Sequence, residues 1–288
     1  MNTVWIIMPI LMVLMFLMGT NIKNESFKIL LSNPLPIVIG LIGQIVILPI
    51  IAIIIGRCIK LPPVYFMGVL LIACCPGGSS SNVFTLLANG NIALSVLLTT
   101  FSSLITIVTL PIIVNSMSLK MIGVIVMNVA MIGKKIFVQN ILLLLLPMLL
   151  GYVFRVFFSQ KALLATKILE KIAMPSLMIV VMIFIFQHIE VIVANFTEVG
   201  TAILALIIAA LIFSSILSRV CRFSSSTRRT IVIEVGMQNA ALAITLATSP
   251  FIFNNYEMAI PAIIYTLLMN VILLLYVYVT KYKFVVNK

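Results

Sequence analysis

Apolar residues fill most of this chain in runs about as long as a membrane-spanning helix, and short polar stretches separate the runs. About 20 apolar residues cross the hydrocarbon core of a bilayer. The pattern predicts nine spans, over residues 4–20, 34–56, 64–88, 92–114, 137–157, 174–187, 199–217, 230–249 and 259–280. Between them it predicts an amphipathic segment at 120–135 and a mixed helix at 161–171.

The composition supports a multi-pass membrane protein in contact with the lipid bilayer. The chain is 63% hydrophobic and only 8% charged, against roughly 25% charged residues in soluble domains. The net charge of +12 is spread over the ends of the predicted spans, which excludes a nucleic-acid surface. All six acids are Glu and the only histidine is His188, so no acid–base set for an enzyme is evident.

The distribution of lysine and arginine predicts the orientation in the membrane. Nine spans place the termini on opposite sides, and cytoplasmic loops are enriched in positive residues. One side would carry Lys23, Lys28, Arg155, Lys161, Lys167, Lys171, Arg219, Arg222, Arg228, Arg229, Lys281, Lys283 and Lys288. The other would carry only Arg57, Lys60, Lys120, Lys134 and Lys135. We therefore expect the plasma membrane, with the N-terminus outside and the C-terminus in the cytoplasm.

The third predicted span is interrupted near its middle by residues 76–82, Pro-Gly-Gly-Ser-Ser-Ser-Asn. Proline removes a backbone donor, and two glycines release the chain from helical geometry. The flanking apolar runs, 64–75 and 83–88, are each too short to cross a membrane. We therefore predict one span with a break, because irregular backbone at membrane depth is tolerated only against protein or a wet cavity.

The eighth predicted span is interrupted by residues 234–239, Glu-Val-Gly-Met-Gln-Asn. An ionisable group at membrane depth costs about 2.5–3.5 kcal/mol on insertion scales, and so marks a functional site. The alternative is a helix-end carboxylate near Arg228 and Arg229, but this leaves the following polar residues unexplained. Two broken helices, one in each half, are typical of transporters built from inverted repeats.

Oxygen-bearing side chains dominate the polar residues near the two breaks. Ser95, Thr99 and Ser102 recur at helical spacing on one face of the fourth span, and Gln44 is a lone amide in the second. One carboxylate among neutral oxygens suits a hard monovalent cation. No cysteine or histidine cluster points to zinc or copper.

Three segments resemble the signature of the bile acid:sodium symporter family: CPGGSSSN at 75–82, GNIALS at 90–95 and EVGMQN at 234–239. The resemblance extends over nearly the whole chain. It implies an organic-anion cavity between a core domain and a panel domain, and two coupling sodium ions without any other cofactor. By motif, the first ion would be bound by Ser81, Asn82, Ser95, Thr99 and Glu234. The second would be bound by Gln44, Glu234 and Gln238 with the carbonyls of Val235 and Met237. For the substrate we select Ser79, Asn239 and Asn270.

The resemblance also implies the domain organisation of this all-α membrane protein. Residues 1–117 would form a first repeat of four spans, without the family's first helix, and 118–288 a second repeat of five. Spans 2–4 and 7–9 would form the core domain, and spans 1, 5 and 6 the panel domain. Because the missing helix belongs to the panel, we expect ion binding to persist, and the oligomeric state is left open.

The predicted function is sodium-coupled symport of an organic anion by alternating access. The substrate would be a small carboxylate such as pantoate, or a bile-acid-like or steroid anion. The alternatives are a sodium/proton antiporter, an arsenite or auxin-type carrier of the same superfamily, and a solute sensor that does not transport. An antiporter usually needs a carboxylate pair at the crossing, whereas Glu234 stands alone.

Overall fold

A computed structural model describes residues 4–22, 33–78, 80–121, 129–160 and 189–286, with isolated positions between 162 and 187. Within these ranges the regular secondary structure is helical, apart from one isolated β-bridge. The helices are α1 Val4–Asn21, α2 Leu35–Ile59, α3 Pro63–Cys74, α4 Ser81–Leu87, α5 Ile92–Met121, α6 over 129–157, α7 Ile189–Val220, α8 Ser225–Gly236, α9 Ala240–Thr248 and α10 Ile260–Val286. A 3₁₀ turn, Glu257–Ala259, precedes α10.

Five helices in the described part of the chain are long and apolar enough to cross a membrane: α2, α5, α6, α7 and α10. The helices α1 and α3 are apolar but shorter. This confirms the prediction of an α-helical membrane protein. Half of the residues of the predicted sixth span, 174–187, and nearly all of the mixed helix at 161–171 lie outside the described residues.

Three predicted boundaries differ from the observed helix ends. The helix α7 begins at Ile189, well before the predicted start at 199. The charges of Glu190 and Glu198 do not end the helix, because both side chains are exposed. A carboxylate in the first helical turn is favourable beside the positive end of the helix dipole. Likewise, α5 continues to Met121 and α6 starts at Val129. The two helix ends therefore occupy part of the predicted amphipathic segment, 120–135. Residues 122–128 of that segment are not described.

Two long helices widen into a π turn just before a proline. In α2 the π turn is Gly43–Ile47, ahead of Pro49, and in α6 it is Ile141–Leu145, ahead of Pro147. Proline lacks the amide hydrogen and its ring crowds the preceding turn, so the local hydrogen-bond pattern shifts. The first π turn carries Gln44, which is buried.

The core is built around α3, which contacts α2, α5 and α10. Nearly every residue of α3 is buried, including Phe66. Away from this centre, α1 packs closely on α6: a Cβ atom at Gly19 or Gly151 would collide with the carbonyl of Met148 or Phe16, respectively. Small residues that let helix backbones approach in this way are typical of membrane interfaces.

Candidate ion-binding site at two broken helices

Both predicted interruptions are real breaks between short helices. The helix α3 ends at Cys74, and Cys75 before the proline is extended, with φ −69° and ψ 156°. Residues before a proline are pushed from helical into extended geometry. The helix α8 ends at Gly236, and Met237 is extended as well, with φ −120° and ψ 101°. Each interrupted segment therefore exposes backbone groups that need partners.

The two breaks supply those partners to each other. Gly77 and Gln238 form an antiparallel bridge. The backbone amide of Gly78 donates to the Met237 carbonyl at 3.0 Å, and the backbone amide of Asn239 donates to the Pro76 carbonyl at 2.8 Å. The two segments, far apart in sequence, thus meet at one place.

The side chain of Glu234 lies at this meeting point and is completely buried, with 0% of its surface exposed. The Ser95 hydroxyl donates to one carboxylate oxygen, and the Thr99 hydroxyl donates to the other at 2.9 Å. The hydroxyls of Ser81 and Thr99 are 3.4 Å apart. The carboxylate therefore links α8 to α5 and, through Thr99, to α4.

Two buried amides complete the cluster. The Gln44 Nε2 atom donates to the backbone carbonyl of Glu234 at 2.6 Å, and the Gln238 Nε2 atom donates to that of Val235 at 3.0 Å. The Oε1 atoms of both amides are buried without a hydrogen-bond partner in the described structure. Since a buried acceptor without a partner is unfavourable by about 1–3 kcal/mol, two oxygens here are suited to receive a cation.

Gly77 makes this close assembly possible. A Cβ atom at this position would lie 2.9 Å from Gln44 Nε2 and 3.1 Å from the Glu234 carboxylate. Its own amide donates to the Ser102 hydroxyl at 3.2 Å. Because φ is not positive at any described glycine, the requirement at Gly77 is for space and not for backbone freedom.

The donor set favours a hard monovalent cation. Among the described residues, no group of three or more His, Cys, Asp or Glu side chains could hold a metal. The cluster instead offers one carboxylate with hydroxyl, amide and carbonyl oxygens. Such oxygen ligands are those of hard cations, and one carboxylate among neutral oxygens suits monovalent better than divalent ions.

Comparison with known proteins assigns the family. The family model described as "Sodium Bile acid symporter family" matches residues 8–195. The chain belongs to this family. The resemblance of the sequence motifs is thereby confirmed, although the matched range ends before Glu234.

Several relatives are named as transporters and none of these as an enzyme. A probable chloroplastic sodium/metabolite cotransporter of Arabidopsis thaliana is 30% identical over 81% of this chain and 57% of its own length. An uncharacterized sodium-dependent transporter of Bacillus subtilis (strain 168) is 29% identical over 83% of this chain and 72% of its own. The human ileal sodium/bile acid cotransporter is 26% identical over 88% and 76%. The match thus spans little more than half of the plant relative.

The structure brings most of the predicted ion ligands of this family member together. Glu234, Ser95, Thr99 and Ser81 form one connected cluster, and Gln44 joins it through the Glu234 backbone. Asn82 follows Ser81 in the first turn of α4. The carbonyls of Val235 and Met237 already accept one hydrogen bond each, and a carbonyl oxygen has a second lone pair.

The predicted substrate residues are less closely associated. The side-chain oxygen of Asn239 caps α9 by accepting from the backbone amide of Leu242 at 3.1 Å. Asn270 donates to the Thr266 carbonyl of its own helix at 2.7 Å, and none of its described hydrogen bonds reaches the breaks. Ser79 lies outside the described residues.

Sequence reasoning missed two supports of the site. The buried Tyr265 hydroxyl donates to the Gly236 carbonyl at 3.0 Å, where α8 breaks. Near the middle of α8, the Thr230 hydroxyl accepts from the backbone amide of Asn91 at 2.7 Å, and the Arg229 guanidinium donates to the Ala88 carbonyl at 2.9 Å. A tyrosine in an apolar span was a signal for the first, since a buried hydroxyl requires a partner.

Proposed function

We propose that this chain is a secondary active transporter that couples the entry of sodium to symport of an organic anion by alternating access. The observation that carries the proposal is the buried Glu234 carboxylate, held by Ser95 and Thr99 where the two broken helices meet. The sodium cotransporters among the relatives support the same reaction.

Two sodium ions would share this carboxylate. The first would bind Ser81, Asn82, Ser95, Thr99 and Glu234. The second would bind Gln44, Glu234, Gln238 and the carbonyls of Val235 and Met237. The unpaired Oε1 atoms of Gln44 and Gln238 support the second site, because a cation is the kind of partner that both lack.

Coupling requires that sodium and substrate favour the same conformation. A sodium ion bound by Glu234 and Gln44 would draw α8 towards α2 and order the breaks, so that nearby backbone and amide donors face the anion. With two sodium ions and one monoanion, one net positive charge would enter per cycle. An inside-negative potential would contribute about 2.3 kcal/mol per 100 mV to that movement.

The proposed architecture contains nine spans in two inverted repeats, residues 1–117 and 118–288. Spans 2–4 and 7–9 would form the core and spans 1, 5 and 6 the panel. The protein would lie in the plasma membrane, and the bias of lysine and arginine supports an N-terminus outside and a C-terminus in the cytoplasm. The close contact of α1 with α6 supports their assignment to one moving unit.

The substrate would be a small carboxylate. A cavity of about 220 Å³ lies between α1, α5 and α6, with Thr100, Phe101 and Tyr152 in its walls. Thr100 adjoins the ion ligand Thr99, and its buried hydroxyl has no hydrogen-bond partner in the described structure. Pockets for drug-sized ligands measure about 300–1,000 Å³, so this volume favours a small acid over a steroid.

A thermal-shift screen of the purified protein against carboxylates, with sodium or potassium, tests the proposal. We expect the melting temperature to rise with certain acids only in sodium, and these acids then to accumulate in proteoliposomes under a sodium gradient. Thr100→Trp, which fills the cavity, would remove the response to the acid and keep the response to sodium. Uptake that is equal in potassium would contradict sodium coupling.

A further inference from the structure

The structure contains a second and larger cavity. It measures about 470 Å³ and is formed by α1, α6 and the turn after α9, with Met8, Lys134, Lys135, Gln139 and Phe251 among its lining residues. None of the residues that line it belongs to the Glu234 cluster. The proposed ion and substrate sites therefore leave this cavity without a role.

The cavity opens to the outer surface of the protein. Two of its residues on α6, Val138 and Leu142, keep 47% and 51% of their surface exposed, and Phe251 keeps 60%. In a membrane protein, exposed apolar side chains of this kind contact the acyl chains of the lipids. The cavity is thus an apolar groove continuous with the lipid-facing surface.

The polar groups of the groove are at the level expected for lipid head groups. The spanning segment of α6 is Gly133–Phe157, so Lys134 and Lys135 lie in its first turn, at the membrane boundary. Both lysines are exposed, and no carboxylate is among the residues that line the groove. Anionic head groups are attracted to such basic positions beside membrane helices.

Gln139 provides one further donor, a turn deeper in the groove. Its Oε1 atom accepts from the Ser249 hydroxyl at 3.1 Å, which joins α6 to the end of α9. Its Nε2 atom is buried and has no hydrogen-bond partner in the described structure. An oxygen of a bound ligand would give this amide the acceptor that it lacks.

We infer that the groove is a binding site for an acidic phospholipid, with an acyl chain along Val138 and Leu142 and the phosphate at Lys134 and Lys135. Charge complementarity selects an anion, and the opening towards the acyl region selects a membrane lipid over a solute from water. The bound lipid would contact both α6 and the turn after α9. This inference is independent of the proposed transport reaction.

The test compares lipids in a thermal-shift or native mass-spectrometry assay of the full chain in neutral detergent. Phosphatidylglycerol and phosphatidylcholine with identical acyl chains differ only in the head group. We expect phosphatidylglycerol to raise the melting temperature more, and the extra rise to shrink at high salt because of screening. The double variant Lys134→Gln/Lys135→Gln should lose most of that extra rise, since both charges are exposed and their removal leaves the core intact.

The matched control is Arg57→Gln/Lys60→Gln, which removes two exposed positive charges at the end of another span, Leu35–Ile59. The control should keep the full effect of phosphatidylglycerol, and Leu142→Trp should lose the binding of both lipids by filling the groove. An undiminished effect in the lysine variant would overturn the inference, as would an equal loss in the control. A response to soluble octanoate but not to phosphatidylglycerol would also overturn it, by assigning the groove to a solute.

Discussion

Replacement of Glu234 by Gln should remove sodium binding at both proposed sites together. The substitution conserves the size of a side chain that is fully buried and held by Ser95 and Thr99. Thr99 keeps its second acceptor, the Ser95 carbonyl at 2.9 Å. The fold should therefore persist, while the only negative charge of the cluster is lost.

The size of the effect follows from electrostatics. Two unit charges about 4 Å apart interact by about 4 kcal/mol at an effective dielectric constant of about 20. This corresponds to roughly a thousandfold weaker affinity for each sodium ion. At a sodium concentration of about 100 times the dissociation constant, one bound ion stabilises a protein by about 2.7 kcal/mol. A thousandfold loss at that concentration would reduce this stabilisation to less than about 0.1 kcal/mol.

The assay needs no knowledge of the substrate. The melting temperature of purified protein is measured as sodium chloride replaces potassium chloride at constant ionic strength, and each variant is compared with itself. The control is Glu198→Gln, which removes an exposed carboxylate from α7 and should keep the full sodium response. If Glu234→Gln retained a sodium response like that of the wild type, Glu234 would not be an ion ligand.

Three further changes probe the surroundings of Glu234. Gln44→Leu should disable only the second ion site, so that the Hill coefficient of a sodium titration falls towards one; an unchanged coefficient would argue against a ligand role. Gly77→Ala should weaken sodium binding at least about tenfold, because its Cβ atom would lie 2.9 Å from Gln44 Nε2, and equal affinity would refute this steric argument. Tyr265→Phe should lower the free energy of unfolding by about 1–3 kcal/mol, since the Gly236 carbonyl loses its donor, whereas the exposed Tyr278→Phe should not change it.

The positions of the breaks could be predicted because their causes are local. Proline and glycine at 76–78 and the polar residues at 234–239 interrupt apolar runs in ways that a sequence displays directly. The same holds for the polar face of α5, where helical spacing alone places Ser95 and Thr99 side by side. Their common contact with Glu234 agrees with that spacing.

Other features depend on contacts between distant segments or on competing roles. The π turn that carries Gln44 and the bond of Tyr265 to Gly236 have no local pattern that identifies the partner. The position of Asn239 in the break suggests a substrate residue, yet its side-chain oxygen caps α9. Asparagine directly before an apolar helix is a common N-cap, so that role could have been found from the sequence.

The two breaks form a single structural unit, and this bears on how an ion could act there. In lipid, unpaired amides and carbonyls are prohibitively unfavourable, so the interruption at 76–78 depends on Met237 and Asn239. Gln44 has two functions at this point: its Nε2 atom holds the Glu234 carbonyl, and its Oε1 atom remains unpaired. A cation at that oxygen would therefore bind the same side chain that fixes α2 to the end of α8. Ion binding and the geometry of the breaks would then be coupled through Gln44. We therefore expect the Gln44 variant to lower the Hill coefficient for sodium, and the Glu234 variant to abolish the sodium response.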